Sequence, residues 1–222
     1  MYAMILAAGR GERLRPLTDN TPKPLLRAGP MLLIEHHLHA LSAAGISDVV
    51  INIGHLGQQI IDRLGDGSRY QLVIHYSDER KGVLETGGGI VKALPLLKSD
   101  PFLVINGDIW TDFDLSLLSA DVDSLAHIVL VNNPQHHPQG DFGLQGVRVR
   151  EKEDKQPSWT YSGIALFKYG FFDQCREQRF PLAPLLHEHI AQKQVTGEIY
   201  NGLWFDIGTR ERLDNLRTRL KN

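Results

Sequence analysis

The feature that most constrains this 222-residue chain is an alternation running through its first 131 positions. Short β-rich runs are followed by amphipathic segments. Ala3–Leu6, Asp48–Ile53, Gln71–Tyr76, Pro101–Asn106 and Ala126–Val131 read as buried strands. Leu33–Ala44 has apolar residues at 33, 34, 38 and 41, a helical spacing that ends before Gly45. Leu56–Leu64 reads as a second helix, stopped at Gly65-Asp66-Gly67, and Ile90–Leu97 as a third. This rhythm predicts a Rossmann-like α/β fold, a mostly parallel sheet with helices on both faces. In such sheets ligands gather at the carboxyl ends of strands. Three of those ends carry candidate chemistry: the glycine loop after Leu6, Asn52, and Asn106-Gly107-Asp108.

After residue 132 the rhythm changes. A hairpin is expected at Phe142–Leu144 and Val147–Val149, a polar loop at Glu151–Pro157 and a strand at Thr160–Phe167. Helices are expected at Phe171–Cys175 and Ala183–Gln192, strands at Val195–Tyr200 and Leu203–Ile207, and a charged helix at Thr209–Leu220. No linker separates the halves, so residues 1–222 are expected to form one domain, with halves at about 1–131 and 132–222.

Composition excludes more than it selects. A net charge of −2 gives no global attraction to nucleic acid or an anionic membrane. No apolar run approaches the ~18–20 residues of a membrane span, and the first residues lack a signal-peptide plan. The one cysteine, Cys175, allows no intrachain disulfide, which fits a reducing cytoplasm. His36, His37 and His39 fall on a helix and His136-His137 in a loop, without a Cys or carboxylate at zinc-ligand spacing. No G-x-S-x-G elbow is present, so a covalent mechanism is not expected.

The stretch Leu6–Leu26 carries Gly9, Gly11, three arginines (10, 13 and 15) and a lysine locked between prolines, Pro22-Lys23-Pro24. Glycines let backbone N–H groups approach a ligand, and nearby cations suit phosphate oxygens. The loop is not the G-x-G-x-x-G fingerprint, because its third position is Leu14, and it lacks the G-K-[ST] of a P-loop. Glu85-Thr86-Gly87-Gly88-Gly89 reads as a second glycine loop before a helix. An aspartate at the end of a central strand, Asp108, suits Mg²⁺, which takes one or two carboxylates plus phosphate oxygens and water.

Taken whole, L-A-A-G-R-G-E-R-L-R-P-L-T with P-K-P resembles the signature of the sugar-1-phosphate nucleotidyltransferases. E-T-G-G, N-G-D and W-F-D-I-G-T extend the resemblance along the chain. It implies a GT-A-like nucleotidyltransferase fold, with residues about 1–131 as the nucleotide-binding half. It also implies a reaction in which a sugar 1-phosphate attacks the α-phosphate of a nucleoside triphosphate and releases pyrophosphate. Both reactants are anions, so positioning and charge neutralisation dominate the barrier. The nucleotide site implied is Leu6, Ala8, Gly9, Gly11, Glu12, Arg13, Lys23, Glu85, Gly87, Gly88 and Asn106. Lys23 and Arg13 would act at the reacting phosphates, and Gly11, Glu12 and Arg13 would wrap the β- and γ-phosphates. Backbone groups of Gly87 and Gly88 would read a pyrimidine edge, with Glu85 orienting the loop or bonding the base. Asp108 and Asp206 would hold Mg²⁺.

The sugar pocket implied is Asp141, Glu151, Ser162 and Gly163. Here the chain departs from the family: Gly140-Asp141-Phe142 replaces the commoner Y-G-V, and Glu151-Lys152 stands where E-K-P is usual. The compact length, the E-T-G-G-G-I loop and the G-D-F segment look most like members that use UTP and N-acetylmuramate 1-phosphate, making UDP-N-acetylmuramate in cell-wall recycling. The lactyl carboxylate of that sugar calls for an Arg or Lys that the sequence does not single out. Other readings are a glucose-, mannose- or phosphocholine-directed member, or a non-catalytic nucleotide-sugar sensor, which the presence of Lys23, Asp108 and Asp206 disfavours. A monomer or small homo-oligomer is expected.

Overall fold

A nine-stranded sheet dominates the computed structural model, which describes residues 1–119 and 123–221. The first half supplies β1 (Tyr2–Leu6), β2 (Arg27–Ala28), β3 (Met31–Leu32), α1 (Leu33–Ala43), β4 (Asp48–Ile53), α2 (Gly57–Leu64) and β5 (Val73–Asp78). It continues with α3 (Glu85–Ala93), β6 (Phe102–Asn106), β7 (Ile109–Thr111) and β8 (Ala126–Val131). The second half supplies β9 (Phe142–Gln145), β10 (Arg148–Glu151), β11 (Thr160–Phe167), α4 (Leu182–Ala191), β12 (Val195–Tyr200), β13 (Trp204–Asp206) and α5 (Arg210–Arg219).

The sheet order is β5-β4-β1-β6-β11-β8-β12-β10-β9. Strands β5, β4, β1 and β6 are mutually parallel, as the β-α rhythm requires. Beyond β6 the sheet is mixed: β11 inserts antiparallel between β6 and β8, β12 is parallel to β8, and the β9–β10 hairpin closes the edge. Successive side chains of a strand face opposite ways. Leu103 and Ile105 of β6 therefore join the core under α1 and α2, while Phe102 and Val104 join the core under α3 and α4. Both faces are covered, which is why these strands read as unbroken apolar runs. A third cluster packs Leu213 and Leu216 of α5 against Leu14, Leu26 and Leu33. Among the described residues no helix is long and apolar enough to cross a membrane.

Several boundaries differ from expectation for local reasons. Gln71 takes a left-handed φ of 60°, so β5 starts at Val73. The third helix begins at Glu85 and includes the glycines, and it tightens into a 3-10 turn at Leu94–Leu96 around Pro95, which has no N–H to give. Glycine is a poor helix former, but a Cβ on Gly87 would collide with the Phe180 ring and one on Gly88 with the Gln178 carbonyl. In place of a helix at 171–175 there is a 3-10 turn, Tyr169–Phe172, which delivers Phe171 and Phe172 into the core.

Phe102 is fully buried and its ring meets those of Phe167, Tyr169 and Phe172 at centroid distances of 6.3, 5.7 and 6.2 Å. Phe102→Ala is expected to cost about 3–5 kcal/mol in urea unfolding. A loss below about 1 kcal/mol would mean that the cluster relaxes to fill the space.

Candidate active site

The ends of β1, β4 and β6 are tied together before any ligand is considered. After Leu6 the chain turns away from the sheet, and the Ala7 N–H donates to Asn52 Oδ1 at 2.6 Å, across from the end of β4. Asn52 Nδ2 in turn donates to Glu79 Oε1 at 2.7 Å. Glu79 is buried, which pushes its carboxyl above the ordinary value, opposed by the hydrogen bonds from Asn52 and the Leu84 N–H. On the other side the Gly107 N–H donates to the Leu6 carbonyl at 2.9 Å. Gly11 has φ +65°, a left-handed conformation, and its carbonyl accepts from Thr18 Oγ1 at 2.9 Å. A side chain there would crowd Thr18 and Lys23.

Lys23 opens a 3-10 turn, Lys23–Leu25, with a proline on each side. Its Nζ lies 2.7 Å from Asp108 Oδ2; the lysine side chain is 11% exposed and the aspartate 41%. Asp108 precedes β7, whose partner β13 places Asp206 opposite Ile109. The Ile207 N–H donates to the Asp108 carbonyl at 2.7 Å, so the two aspartates sit on adjoining segments. Asp206 is ion-paired with Arg212, and His136 Nε2 lies 3.0 Å from it. The helix histidines brace this region. His36 lies between the Ala28 carbonyl (2.9 Å) and Trp110 Nε1 (3.2 Å), and buried His37 bonds the Ile109 backbone. Burial pushes His37 down to about 4.

Two cavities open side by side. The first, of about 450 Å³, is lined by Leu6, Ala8, Gly9, Gly11, Glu12, Arg13, Lys23, Asn52, Glu79, Glu85, Thr86, Asn106 and Asp108 among others. The second, of about 310 Å³, is lined by His136, His137, Thr160, Tyr161, Ser162, Trp204, Asp206 and Arg212. Arg13, Asn106 and Asp108 face both. The structure thus brings most of the nucleotide-site residues read from the sequence to one cavity, and Asp206 and Ser162 to its neighbour.

Other expected residues lie elsewhere. The N–H groups of Gly87 and Gly88 do not face the first cavity; both donate to the Phe180 carbonyl at 3.1 Å, because segment 178–180 packs onto the start of α3. Glu85 lines the cavity but also pairs with Arg179 at 2.8 Å, fastening the same segment. Glu151 does not reach the sugar-side cavity: it ends β10, next to the sheet edge, and is 2.6 Å from His187 of α4. Asp141 acts behind the wall, accepting the Tyr161 N–H at 2.8 Å and lying 2.9 Å from His137. Gly163, with φ +84°, leaves the space that Asn106 occupies. Sequence reasoning did not single out Glu79, Thr86, Trp204 or Arg212. Arg212 had a faint signal: Thr209 caps α5 through the Arg212 N–H, three residues on.

A strand-end glycine loop, a proline-flanked lysine, Asp108 between the two cavities and Asp206 in the second fit phosphate-group transfer, and the comparisons agree. The chain belongs to the nucleotidyl transferase family of enzymes, whose sequence profile matches residues 2–221. It is 48% identical over 220 residues to an N-acetylmuramate alpha-1-phosphate uridylyltransferase of Neisseria meningitidis, covering 96% of this chain and 95% of that one. A protein of the same description from Caulobacter vibrioides is 33% identical, covering 93% and 91%. The fold superposes on a Bacillus anthracis structure described as a candidate glucose-1-phosphate thymidylyltransferase, with a TM-score of 0.86 at 20% identity over 100% and 96% of the chains.

The buried Glu79 makes stability pH-dependent. With a raised folded value, its contribution is full below the ordinary 4.5 and is lost as pH rises through the folded value. Glu79→Gln retains an acceptor for Asn52 without the charge. Urea unfolding from pH 4.5 to 7 is expected to show wild-type stability declining relative to the variant; parallel curves would refute this.

Proposed function

We propose that the chain transfers a uridylyl group from UTP to N-acetylmuramate 1-phosphate, yielding UDP-N-acetylmuramate and pyrophosphate in cytoplasmic cell-wall recycling. The observation that carries a two-substrate transfer is the wall shared by the cavities, Arg13, Asn106 and Asp108. The likeness to the Neisseria protein supports the choice of base and sugar. In this reading residues 1–222 work as one domain, about 1–131 holding the nucleotide and about 132–222 the sugar; a sheet continuous through both halves supports it.

UTP lies in the first cavity. Leu6, Ala8 and Glu85 border the nucleoside, and the Gly9–Gly11 turn, Glu12 and Arg13 surround the β- and γ-phosphates. Lys23 is aimed by its prolines at the α-phosphate, where its ammonium offsets the charge that grows during attack. Asn106 orients the groups that meet at the junction. The sugar occupies the second cavity, with Ser162 on its wall and Asp141 and Gly163 positioning His137 and Asn106. Holding both anions at one wall supplies the orientation that an uncatalysed encounter lacks.

Asp108 and Asp206 would hold Mg²⁺. They fit it: both are oxygen donors facing one cavity, and the ion completes its shell with phosphate oxygens and water rather than a protein cage. When bound, the ion would neutralise phosphate charge and favour departure of pyrophosphate.

Pyrophosphate release, measured with Mg²⁺ across four nucleoside triphosphates and N-acetylmuramate, N-acetylglucosamine, glucose and mannose 1-phosphates, is expected only with UTP and the muramate sugar. Another productive pair would overturn the substrate, and no turnover in folded, nucleotide-binding protein would favour a sensor. Asp108→Ala is expected to lower turnover at least ~100-fold with an unchanged circular dichroism spectrum. Near-normal activity would remove Asp108 from the metal site.

A further inference from the structure

The muramate sugar differs from N-acetylglucosamine by a lactyl ether that ends in a carboxylate. A site that prefers it needs a cation on the sugar side, away from the reacting phosphates. Among the described residues, Arg13 and Arg212 are the only Lys or Arg side chains lining the second cavity. Arg13 also lines the first cavity, where the triphosphate belongs in the proposed function. Lys152 and Arg148, two other cations of the second half, are bonded to the carbonyls of Gly140 (3.2 Å) and Lys193 (3.0 Å) and line neither cavity.

Arg212 does not line the first cavity, although Gly208 beneath its Nη2 does. Arg212 lines the second cavity and a third, of about 420 Å³, which also shares His136, Trp204 and Asp206 with the second. A sugar whose phosphate points toward Asp108 would present the far side of its ring to this boundary. The guanidinium is held but not used up. Nη1 reaches Asp206 and lies 2.7 Å from His136 Nε2, and Nε lies 3.4 Å from Thr209 Oγ1. Nη2 has no hydrogen bond among the described residues. It lies over Gly208, where any side chain would collide with it, and Arg13 Nη1 approaches the same glycine. Two guanidinium groups thus meet over one residue; Asp206 pairs with one face of Arg212, which leaves its Nη2 edge and Arg13 to meet an anion. The planar fork of Arg matches the two oxygens of a carboxylate.

We infer that Arg212 is the residue that selects a carboxylate-bearing sugar 1-phosphate, pairing its free Nη2 edge with the sugar's carboxylate while His136 and Thr209 hold the guanidinium in place. This rests on the function proposed above and adds to it the residue that discriminates. Arg212 is a specificity residue, and its ion pair with Asp206 sets it beside the proposed metal site.

The test compares kcat/KM for N-acetylmuramate 1-phosphate and N-acetylglucosamine 1-phosphate, with UTP and Mg²⁺, in wild type, Arg212→Lys and Arg212→Met. It adds calorimetric binding of both sugars in the presence of an α,β-methylene UTP analogue, which cannot release pyrophosphate. The expected result is a fall of about 10- to 100-fold in the muramate-over-glucosamine ratio for Arg212→Met, seen in KM and in Kd. Arg212→Lys keeps the charge without the fork and is expected to retain part of the preference. An equal loss for both sugars would overturn the inference, placing Arg212 on the phosphate or on Asp206. So would an unchanged ratio in both folded variants. No muramate preference in the wild type would instead overturn the function on which the inference stands.

Discussion

β1 is hydrogen-bonded along both edges, to β4 and β6, and its Ala3, Met4 and Ile5 are fully buried. A strand held in this way has a fixed end, and the candidate site hangs from it. The Leu6 carbonyl takes the Gly107 N–H, and the Ala7 N–H reaches Asn52. The glycine turn, the strand bearing Asn52 and the strand leading to Asp108 are therefore locked to one another before a substrate arrives. Preorganisation of this kind matters because a phosphate site works by placing charge, and misplaced charge is screened by water.

Charge balance is the second constraint. Lys23 sits on Asp108 and Arg212 on Asp206, so each carboxylate that could serve a metal already has a cation within ion-pair distance. These contacts keep the partly exposed groups aligned across segments brought together by β7 and β13. Half-buried His36 and buried His37 of α1 contribute from behind by bonding Ala28, Trp110 and the Ile109 backbone. The arrangement leaves Arg13 and one edge of Arg212 side by side over Gly208.

Much of this was legible in the residues. Strands buried on both faces read as apolar runs, and the parallel half of the sheet follows from the β-α rhythm. The turn Gly146-Val147 marks the β9–β10 hairpin, with Gly146 at φ +57°. The early start of the third helix at Glu85, five residues before the expected Ile90, was not legible, because three adjacent glycines disfavour helix on propensity. What stabilises it is the Phe180 carbonyl, supplied from more than ninety residues away. That same carbonyl takes the two N–H groups that sequence reasoning had assigned to a base. The distance of Glu151 from the sugar-side cavity was equally hidden, since strand order, not strand pattern, puts β10 next to the sheet edge.

By itself the sequence determined what is carried within ten or twenty residues: which runs are strands, where the chain turns on a glycine, and where prolines stiffen the backbone around Lys23. Tertiary structure alone decided which groups meet. Lys23 and Asp108 are 85 positions apart, and Arg13 and Arg212 come from opposite ends of the chain to cover one glycine. Those meetings depend on strand order and on the pairing of β7 with β13, and such long-range pairing leaves no local periodicity in the sequence. The physical reason is that hydrophobic burial selects the faces of each element over short stretches, whereas the convergence of charges is set by how the complete sheet is assembled.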